Sequence, residues 1–357
     1  MKKFSQKDAA SRRMRAVRLL CVLAAGAFLP VSCAEDTWES LMTFNSEELR
    51  PPRLEKVVGV ETDVFEAHFD KDTWVEPASL QVYPDLAVRS FEDGAPVVRI
   101  VLEEGGRPGQ RYTLELSVRD ARGNTCSFLY HFYGYNPRIP GMLINEVLVN
   151  TPSTTAYNQV EIIILADGDM GGVTLFEGTK SYADKTFIFP SLEVRQGDFI
   201  LVHFNTVNAE GEVNETGGSK TAATGKGFKD TAWDFWLPET GNLTKDNETL
   251  SLYTNPEGDL IDGLLYTSRV YEAGAKYNGF GTSLMLNKAQ ELVSGGGWLT
   301  AGEDVFPQDG FDPTGATSTR TICRDSLSTD TDTAADWHIV PAGKRSPGAV
   351  NSDEVYK

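Results

Sequence analysis

The residues best suited to chemistry in this chain are its histidines, its cysteines and its many carboxylates. The four histidines are His68, His131, His203 and His338, and no two of them lie close together in the sequence. Closely spaced His and Cys ligands usually mark a transition-metal site. Neither a His-Glu-x-x-His helix nor a Gly-x-Ser-x-Gly nucleophile elbow occurs. We therefore expect the histidines to be ordinary strand or loop residues.

Paired carboxylates are common in so acidic a chain and carry little information singly. Glu146 and Glu161 are the pair of interest, because each lies in a short apolar segment typical of a strand. A glycosidase would need two such groups on either side of an open cleft. The alternative, which we favour, is that Glu146 is a structural part of its strand.

An acidic run near the C-terminus invites a test for calcium binding. Asp330, Asp332 and Asp336 supply carboxylates, but Ala334 and Ala335 occupy positions five and six of the run. An EF-hand loop requires an oxygen ligand and a glycine there, so an EF-hand is excluded. Two interpretations of the acidic run remain. It is either a weak structural calcium site that a second loop completes, or a structural turn before Trp337. No other cofactor is expected.

Three aromatic residues stand close together at Trp233, Phe235 and Trp236. Exposed aromatic clusters mark binding sites, so these residues are the candidate ligand-binding set. The acidic surface disfavours anionic partners, so a neutral glycan or a cationic protein patch is the expected partner. Alternation along a strand places Trp236 on the face opposite Trp233 and Phe235. If Trp236 serves a glycan, its replacement by alanine should leave the thermal midpoint nearly unchanged. The alternative is that the rings fill the end of a sandwich.

Charge excludes one large class of partner. The chain has 33 basic and 51 acidic residues, a net charge of −18. Without residues 1–32, which hold seven basic and one acidic residue, 26 and 50 remain, a net charge of −24. Nucleic-acid binding needs a basic patch and is therefore not expected. Anionic membrane surfaces are also disfavoured.

The N-terminus has the parts of a secretory signal. A basic stretch from Lys2 to Arg18 precedes an apolar run, Leu19 to Leu29, that is too short to span a bilayer. Pro30-Val31-Ser32-Cys33 resembles a lipobox, with the leucine one place further upstream than the strict pattern. We predict that residues 1–32 are a signal peptide and that Cys33 is lipidated. Ordinary cleavage near Ala34, giving a secreted protein without lipid, is the alternative.

Residues 33–52 follow as a polar segment that ends in Pro51-Pro52, and we interpret them as a lipidated tether. Ala34-Glu35-Asp36 resembles a surface-export signal of Gram-negative lineages, or is simply a solvated part of the tether. The predicted location is the outer membrane, lipid-anchored and facing the exterior.

The rest of the chain is predicted to be all-β, with two immunoglobulin-like β-sandwich domains. Short alternating segments lie between Gly, Pro, Asn and Asp clusters, and no long segment with a 3.6-residue period follows the signal. Cys126 and Cys323 are expected to be two separate buried thiols, although export permits a disulfide.

Residues 53–136 resemble a bacterial immunoglobulin-like domain. The resemblance rests on the strand end Phe69-Asp70, on Pro108-Gly109-Gln110-Arg111-Tyr112 and on the turn from Asp120 to Asn124. It implies a small sandwich that serves as a spacer or binding module. The stretch from Asn136 to Pro140, with two prolines, is a short stiff linker.

Residues 141–351 resemble the lamin tail domain in its bacterial form. The matching elements are an Ile-Asn-Glu strand at Ile144, a Val-Glu-Ile strand at Val160, Gly-Asp-Phe-Ile-Leu-Val from Gly197, Thr-Leu-Ser-Leu-Tyr from Thr249 with Gly-Asp-Leu-Ile-Asp after it, and a closing Pro-Gly-x-x-Asn at Pro347. The sequence departs from the family at Leu165–Gly168 and in an insert at 206–229, which we expect to be a mobile loop. The resemblance implies an immunoglobulin-like sandwich with no chemistry of its own.

These observations predict a cell-surface lipoprotein that is not an enzyme and has an adhesion, scaffolding or ligand-binding role. Its partners would be the membrane, through the lipid, and an extracellular protein or glycan. The alternative is a glycan-capture protein of an outer-membrane uptake system. A hydrolase is disfavoured because no catalytic constellation appears.

Overall fold

The computed structural model describes residues 49–149, 158–204, 206, 209–238 and 241–357. These ranges contain nineteen β-strands, one α-helix and four 3₁₀ segments, so the predicted all-β class is confirmed. The predicted signal peptide, Cys33 and most of the tether lie outside the described residues. Within the described part, no helix is long and apolar enough to cross a membrane.

The first sandwich is built from seven strands, and Val64–Val75 is shared between its two halves. In chain order the strands are β1 Leu54–Glu61, β2 Val64–Val75, β3 Gln81–Tyr83, β4 Val88–Glu92, β5 Ala95–Leu102, β6 Arg111–Arg119 and β7 Thr125–Tyr133. The first half of β2 pairs with β1 and β5, and its end pairs with β6. Strand β6 alternates between buried and more exposed residues, as its sequence predicts.

The second sandwich holds the other twelve strands. They are β8 Met142–Leu148, β9 Gln159–Ile164, β10 Gly168–Asp169, β11 Thr174–Thr179, β12 Tyr182–Ile188, β13 Glu193–Val194, β14 Phe199–His203, β15 Ala232–Trp236, β16 Asn247–Tyr253, β17 Leu260–Thr267, β18 Ile322–Arg324 and β19 Trp337–Ile339. One large sheet has the order β12-β11-β16-β17 and the other has the order β15-β14-β9-β8-β18-β19, while β10 and β13 pair as a separate two-stranded sheet. Apolar side chains from both sheets form one core. The second sandwich is therefore a packing of two sheets.

A single α-helix, α1 Ser283–Ser294, corrects the expectation that no helical segment follows the signal. Its buried residues are Met285, Lys288, Ala289 and Leu292, a spacing that faces one side of a helix. Apolar periodicity does not reveal this buried helix face, because one of its four residues is a lysine. Lys288 is buried because its Nζ donates to Glu248 at 2.7 Å and to Asp184 at 2.7 Å. The 3₁₀ segments are Pro77–Ser79, Lys276–Gly279, Pro307–Asp309 and Ala334–Asp336.

Two large cores lie on either side of the predicted linker, within the described residues. The chain nevertheless clusters as one compact unit from Pro52 to Lys357, because turns of the two sandwiches touch. The Asn136 amide donates to the carbonyls of Asp169 and Gly171 at 2.7 and 2.8 Å. Gly109 approaches Gly172 so closely that an added Cβ would lie 2.1 Å from the Gly172 nitrogen. This contact tolerates no side chain on Gly109.

The two cysteines are free thiols, as predicted. Cys323 is buried on β18, whereas Cys126 on β7 is only half-buried. No disulfide therefore joins the two sandwiches.

Candidate functional site

Strand β15 carries the three aromatic residues singled out by sequence, and the structure gives them different surroundings. The strand runs parallel to β14, with Ile200 beside Trp233 and His203 beside Trp236. Phe235 points into the core and packs edge-on against Phe189, with ring centroids 5.3 Å apart. It has no exposed surface, so it offers no ring face to a ligand.

Trp236 is also buried, with 5% of its surface exposed. Its ring stacks on that of His203 at a centroid distance of 4.5 Å and an angle of 17°. Its indole edge reaches a cleft of about 520 Å³ between β12 and the insert, but most of the ring is covered. Alternation puts it on the face opposite Phe235, as predicted, yet that face is covered too.

Trp233 is half-buried and forms one wall of a second cleft, of about 570 Å³. We call this the Trp233 cleft and define it by Glu193, Arg195, Asp198, Thr216, Gly218 and Trp233. Its floor lies where β14 begins and its far wall comes from the insert. Of the three predicted rings, Trp233 is the one best placed to touch a ligand.

A lysine of the insert places a positive charge beside Asp198 and Trp233 in the Trp233 cleft. Lys220 donates to Asp198 at 2.8 Å, and its Nζ lies 5.5 Å from the centroid of the Trp233 ring. Burial alone would raise the pKa of Asp198. The hydrogen bonds from Lys220 and the Arg195 backbone, together with the Lys220 charge, outweigh burial, and the pKa is lowered. The carboxylate is thus held in its ionised form beside the indole.

The insert at 206–229 has no strand or helix among its described residues, as predicted for a loop, but its middle is firmly attached. Glu215 is buried and its carboxylate accepts from the backbone nitrogens of Ala223 and Asp234 at 3.0 and 2.9 Å. The Glu215 nitrogen donates to the Asp234 carbonyl at 3.0 Å. The insert therefore covers the free edge of β15, and its mobility stays a prediction.

The acidic run proposed for calcium is arranged around an arginine. Arg324 is buried and its guanidinium donates to Asp262 at 3.0 Å and to Asp330 at 3.0 Å. Asp336 lies 3.5 Å from the same group and also accepts from the Thr331 hydroxyl at 2.6 Å. Asp336 thus stabilises the turn before Trp337 and pairs with Arg324.

The carboxylate oxygens that converge are those of Asp262, Asp330 and Asp332, within 4.8 Å of one another. Sequence gave no reason to include Asp262, which lies on β17. Burial raises the pKa of Asp262 to about 7, although Arg324 opposes this, and burial also raises the pKa of Asp332. Of the predicted calcium ligands, Asp330 and Asp336 are engaged with Arg324, which balances part of this charge, whereas Asp332 belongs to the converging group.

Glu146 and Glu161 lie in strands, as predicted, and they are register partners on the neighbouring β8 and β9. Both are buried. Burial raises the pKa of both carboxyls, and for Glu161 the neighbouring Glu146 raises it further. Nothing from outside can reach between them, because the chain itself fills the space.

The segment that covers Glu146 and Glu161 is a C-terminal stretch, residues 346–351, which we call the closing loop. The Gly348 nitrogen donates to Glu161 at 2.6 Å and the Ser346 hydroxyl donates to Glu146 at 3.1 Å. The Asn351 amide donates to the Asn145 carbonyl at 3.1 Å. The Asn-Glu pair of β8 and the closing Pro-Gly-x-x-Asn are therefore two halves of one buried polar network.

A family model described as TP_1001_2nd, protein second domain, matches residues 140–339. The match covers more than half of the chain. The chain belongs to this family. The matched residues begin just before β8 and end with the last residue of β19, so the second sandwich is the TP_1001_2nd domain.

The remaining comparisons add no argument about function. No curated protein matches the chain. The N-terminal part of the bacterial S-layer protein SbsC is similar at 17% identity, over 43% of this chain and 38% of that one, with a TM-score of 0.22. Dimeric latent PorU from Porphyromonas gingivalis is similar at 12% identity, over 58% of this chain and 19% of that one, with a TM-score of 0.16. This chain thus spans well under half of either structure, and such TM-scores carry no conclusion about fold.

Two side-chain pairs of the TP_1001_2nd domain were missed by sequence, because their members are 15 and 31 positions apart. Cys323 Sγ lies 3.6 Å from His338 Nε2, but this nitrogen also lies 2.8 Å from the Ser352 carbonyl. A nitrogen that donates to a carbonyl cannot also accept a thiol proton. Burial and the nearby carboxylates raise the pKa of Cys323 as well, which disfavours a thiolate.

The second pair is His203 and Asp234, whose Nε2 and Oδ1 atoms are 2.6 Å apart. Both residues are fully buried, and the Trp236 ring lies against the imidazole. A substrate cannot reach either group in this arrangement. The pair connects β14 to β15 and supports the strand that carries Trp233.

Proposed function

We propose that this protein is a lipid-anchored protein of the outer membrane, displayed at the cell surface, with a non-catalytic binding or scaffolding role. One observation carries the non-catalytic part. In the described part of the TP_1001_2nd domain, the Glu146–Glu161 and His203–Asp234 pairs are buried and engaged by the protein's own segments. The carboxyls of Glu146 and Glu161, which come nearest to a glycosidase pair, are closed by Gly348 and Ser346.

The anchoring part rests on the sequence around Cys33. In this proposal residues 1–32 are removed, Cys33 is acylated and the polar stretch that follows holds the sandwiches away from the membrane. The net charge of −24 on the remaining chain keeps such a protein soluble outside the bilayer and away from anionic lipid.

The finer family assignment also belongs to the proposal. We infer that the TP_1001_2nd domain is related to the lamin tail domain, and that the first sandwich is a bacterial immunoglobulin-like module. The joining of Asn145 and Asn351 supports the first inference, because it explains why those residues go together in the resembling sequences. Strand β6 and the Asp120 turn, whose carboxylate accepts from the nitrogens of Arg122 and Asn124, support the second.

A second candidate function is glycan capture for an outer-membrane uptake system. The Trp233 cleft favours it, because an indole and several polar groups face one concave space. Adhesion through a flat protein surface would not need such a cleft.

The anchor is tested by replacing Cys33 with serine in the full chain. The variant should move from the membrane pellet to the soluble fraction and should no longer incorporate a palmitate analogue. A variant that stays in the pellet and is still labelled would refute the lipoprotein assignment. Replacing Cys126 with serine is the matched control, because that half-buried thiol lies on β7 and should not affect fractionation.

A further inference from the structure

The Trp233 cleft has the form of a preformed ligand site. Its volume of about 570 Å³ falls within the range of small-molecule pockets, about 300–1,000 Å³. Lys220 ties the insert to Asp198, and Glu215 ties it to β15, so the wall opposite Trp233 is held in place. A ligand would not have to order this loop on binding, which keeps the entropic cost low.

The indole of Trp233 supplies an apolar surface with a fixed orientation. Its Nε1 lies 3.5 Å from Asp198 Oδ2, and the Lys220 ammonium lies over the ring. The ring is only half-buried, unlike those of Phe235 and Trp236. The apolar face of a sugar ring is a suitable partner for such a surface, because an aromatic side chain combines a large apolar area with a polar edge.

The polar groups of the cleft suit hydroxyl groups. Asp198 can accept hydrogen bonds, Arg195 can donate up to five, and the exposed Thr216 hydroxyl can do both. Among the described residues, the Arg195 guanidinium makes no hydrogen bond or ion pair. The Arg195 backbone is engaged with Asp198: its nitrogen donates to the carboxylate at 2.9 Å, and its carbonyl accepts from the Asp198 nitrogen at 2.9 Å. A Cβ added at Gly217 or Gly218 would meet no atom within 4 Å, so the cleft is open beside Arg195.

The two carboxylates that line the cleft are each paired with a cation. Glu193 pairs with Arg138, and Asp198 pairs with Lys220 at 2.8 Å. Arg195 adds one exposed positive charge, on a chain whose net charge is −18. The field of the whole protein disfavours anionic ligands.

We propose that the Trp233 cleft binds a neutral oligosaccharide, with one sugar ring stacked on Trp233 and its hydroxyls hydrogen-bonded to Arg195 and Asp198. This inference rests on the binding role proposed above and names the class of ligand. The sequence predicted a binding set of three rings on β15. The proposed site keeps one of them, Trp233, and adds Arg195 and Asp198, which the sequence did not single out.

The test is calorimetric titration of the purified full chain with a panel of neutral hexasaccharides of glucose, mannose, galactose and xylose, and with an oligogalacturonate of the same length. At least one neutral member should bind. Trp233→Ala and Arg195→Ala should each weaken that binding at least tenfold. Arg195 is exposed, so its variant reports on binding even if Trp233→Ala folds poorly.

Trp74→Ala is the matched control. Trp74 is a half-buried strand tryptophan with a cation, Arg119, 5.9 Å from its ring, but it lies on β2 of the first sandwich. Its replacement should leave binding unchanged. Three results would overturn the inference: no neutral hexasaccharide binds, binding survives in both cleft variants, or only the oligogalacturonate binds. The anchoring experiment with Cys33→Ser is independent, so a failure of either proposal is recognised separately.

Discussion

Replacing Trp236 with alanine distinguishes a core residue from a binding residue on β15. Sequence alone predicts that the variant keeps its thermal midpoint, and the structure predicts the opposite. The ring is 5% exposed and stacks on the buried His203 at 4.5 Å. Removing a buried tryptophan typically costs about 3–5 kcal/mol, because the apolar contacts are lost and a cavity remains.

The half-buried Trp233 should lose less. In proportion to its burial, its replacement by alanine is expected to cost about 1–2 kcal/mol. At about 2–4 °C per kcal/mol for a domain of this size, Trp236→Ala should lower the midpoint of the second sandwich by about 6–20 °C. Urea unfolding followed by far-ultraviolet circular dichroism measures both variants. A loss below about 1 kcal/mol for Trp236→Ala, or a larger loss for Trp233→Ala, would refute the assignment of the two rings.

Two further predictions concern the junction and the buried acids. Gly109→Ala should lower the free energy of unfolding by more than about 2 kcal/mol, because left-handed strain and a steric clash add up. Gly109 has φ +70°, and its added Cβ would lie 2.1 Å from the Gly172 nitrogen. Urea unfolding measures this loss. Burial raises the pKa of Glu248 to about 7, so the folded state holds a proton that the unfolded state has lost above its ordinary pKa of 4.5. The free energy of unfolding should therefore fall as the pH rises from about 4.5 to 7, and Glu248→Gln should reduce this slope in thermal melts.

Each of these predictions has its own control. Gly123→Ala serves the first, because Gly123 has φ +85° but no atom within 4 Å of an added Cβ. Equal losses in the two glycine variants would show that the Gly109 contact is unimportant. For the second, Asp184 also faces Lys288, and its pKa is lowered by the hydrogen bond from that lysine despite partial burial. Its contribution is lost below its ordinary pKa of 3.8, outside the tested window, so a slope unchanged by Glu248→Gln would contradict the prediction.

Local pattern was enough to locate most of the strands. The predicted Ile-Asn-Glu and Val-Glu-Ile segments lie in β8 Met142–Leu148 and β9 Gln159–Ile164, because continuous apolar runs bounded by polar residues leave little choice. The all-β class required no more than these local signals.

Local sequence pattern failed where the role of a side chain depends on a residue that is distant in the sequence. Helix α1 was missed because Lys288 counts as polar until its buried hydrogen bonds to Glu248 are known. The ion pair of Asp336 with the buried Arg324 could not be foreseen, because the two residues are 12 positions apart. Alternation placed Trp233 and Trp236 on opposite faces of β15, but it could not show that the Trp236 face is covered, because that depends on His203 of another strand.

The closing loop sets the order in which this protein can be completed. Ser346 and Asn351 meet their partners on β8 across 200 and 206 positions of chain. Contacts so distant in sequence form late, because the intervening chain must first lose its freedom. During synthesis, β8 emerges first, and the groups that hydrogen-bond to Glu146 and Glu161 follow 200 and 187 residues later. Until then the two carboxyls can remain hydrated. The buried polar network of the second sandwich is complete only when the closing loop has been synthesised.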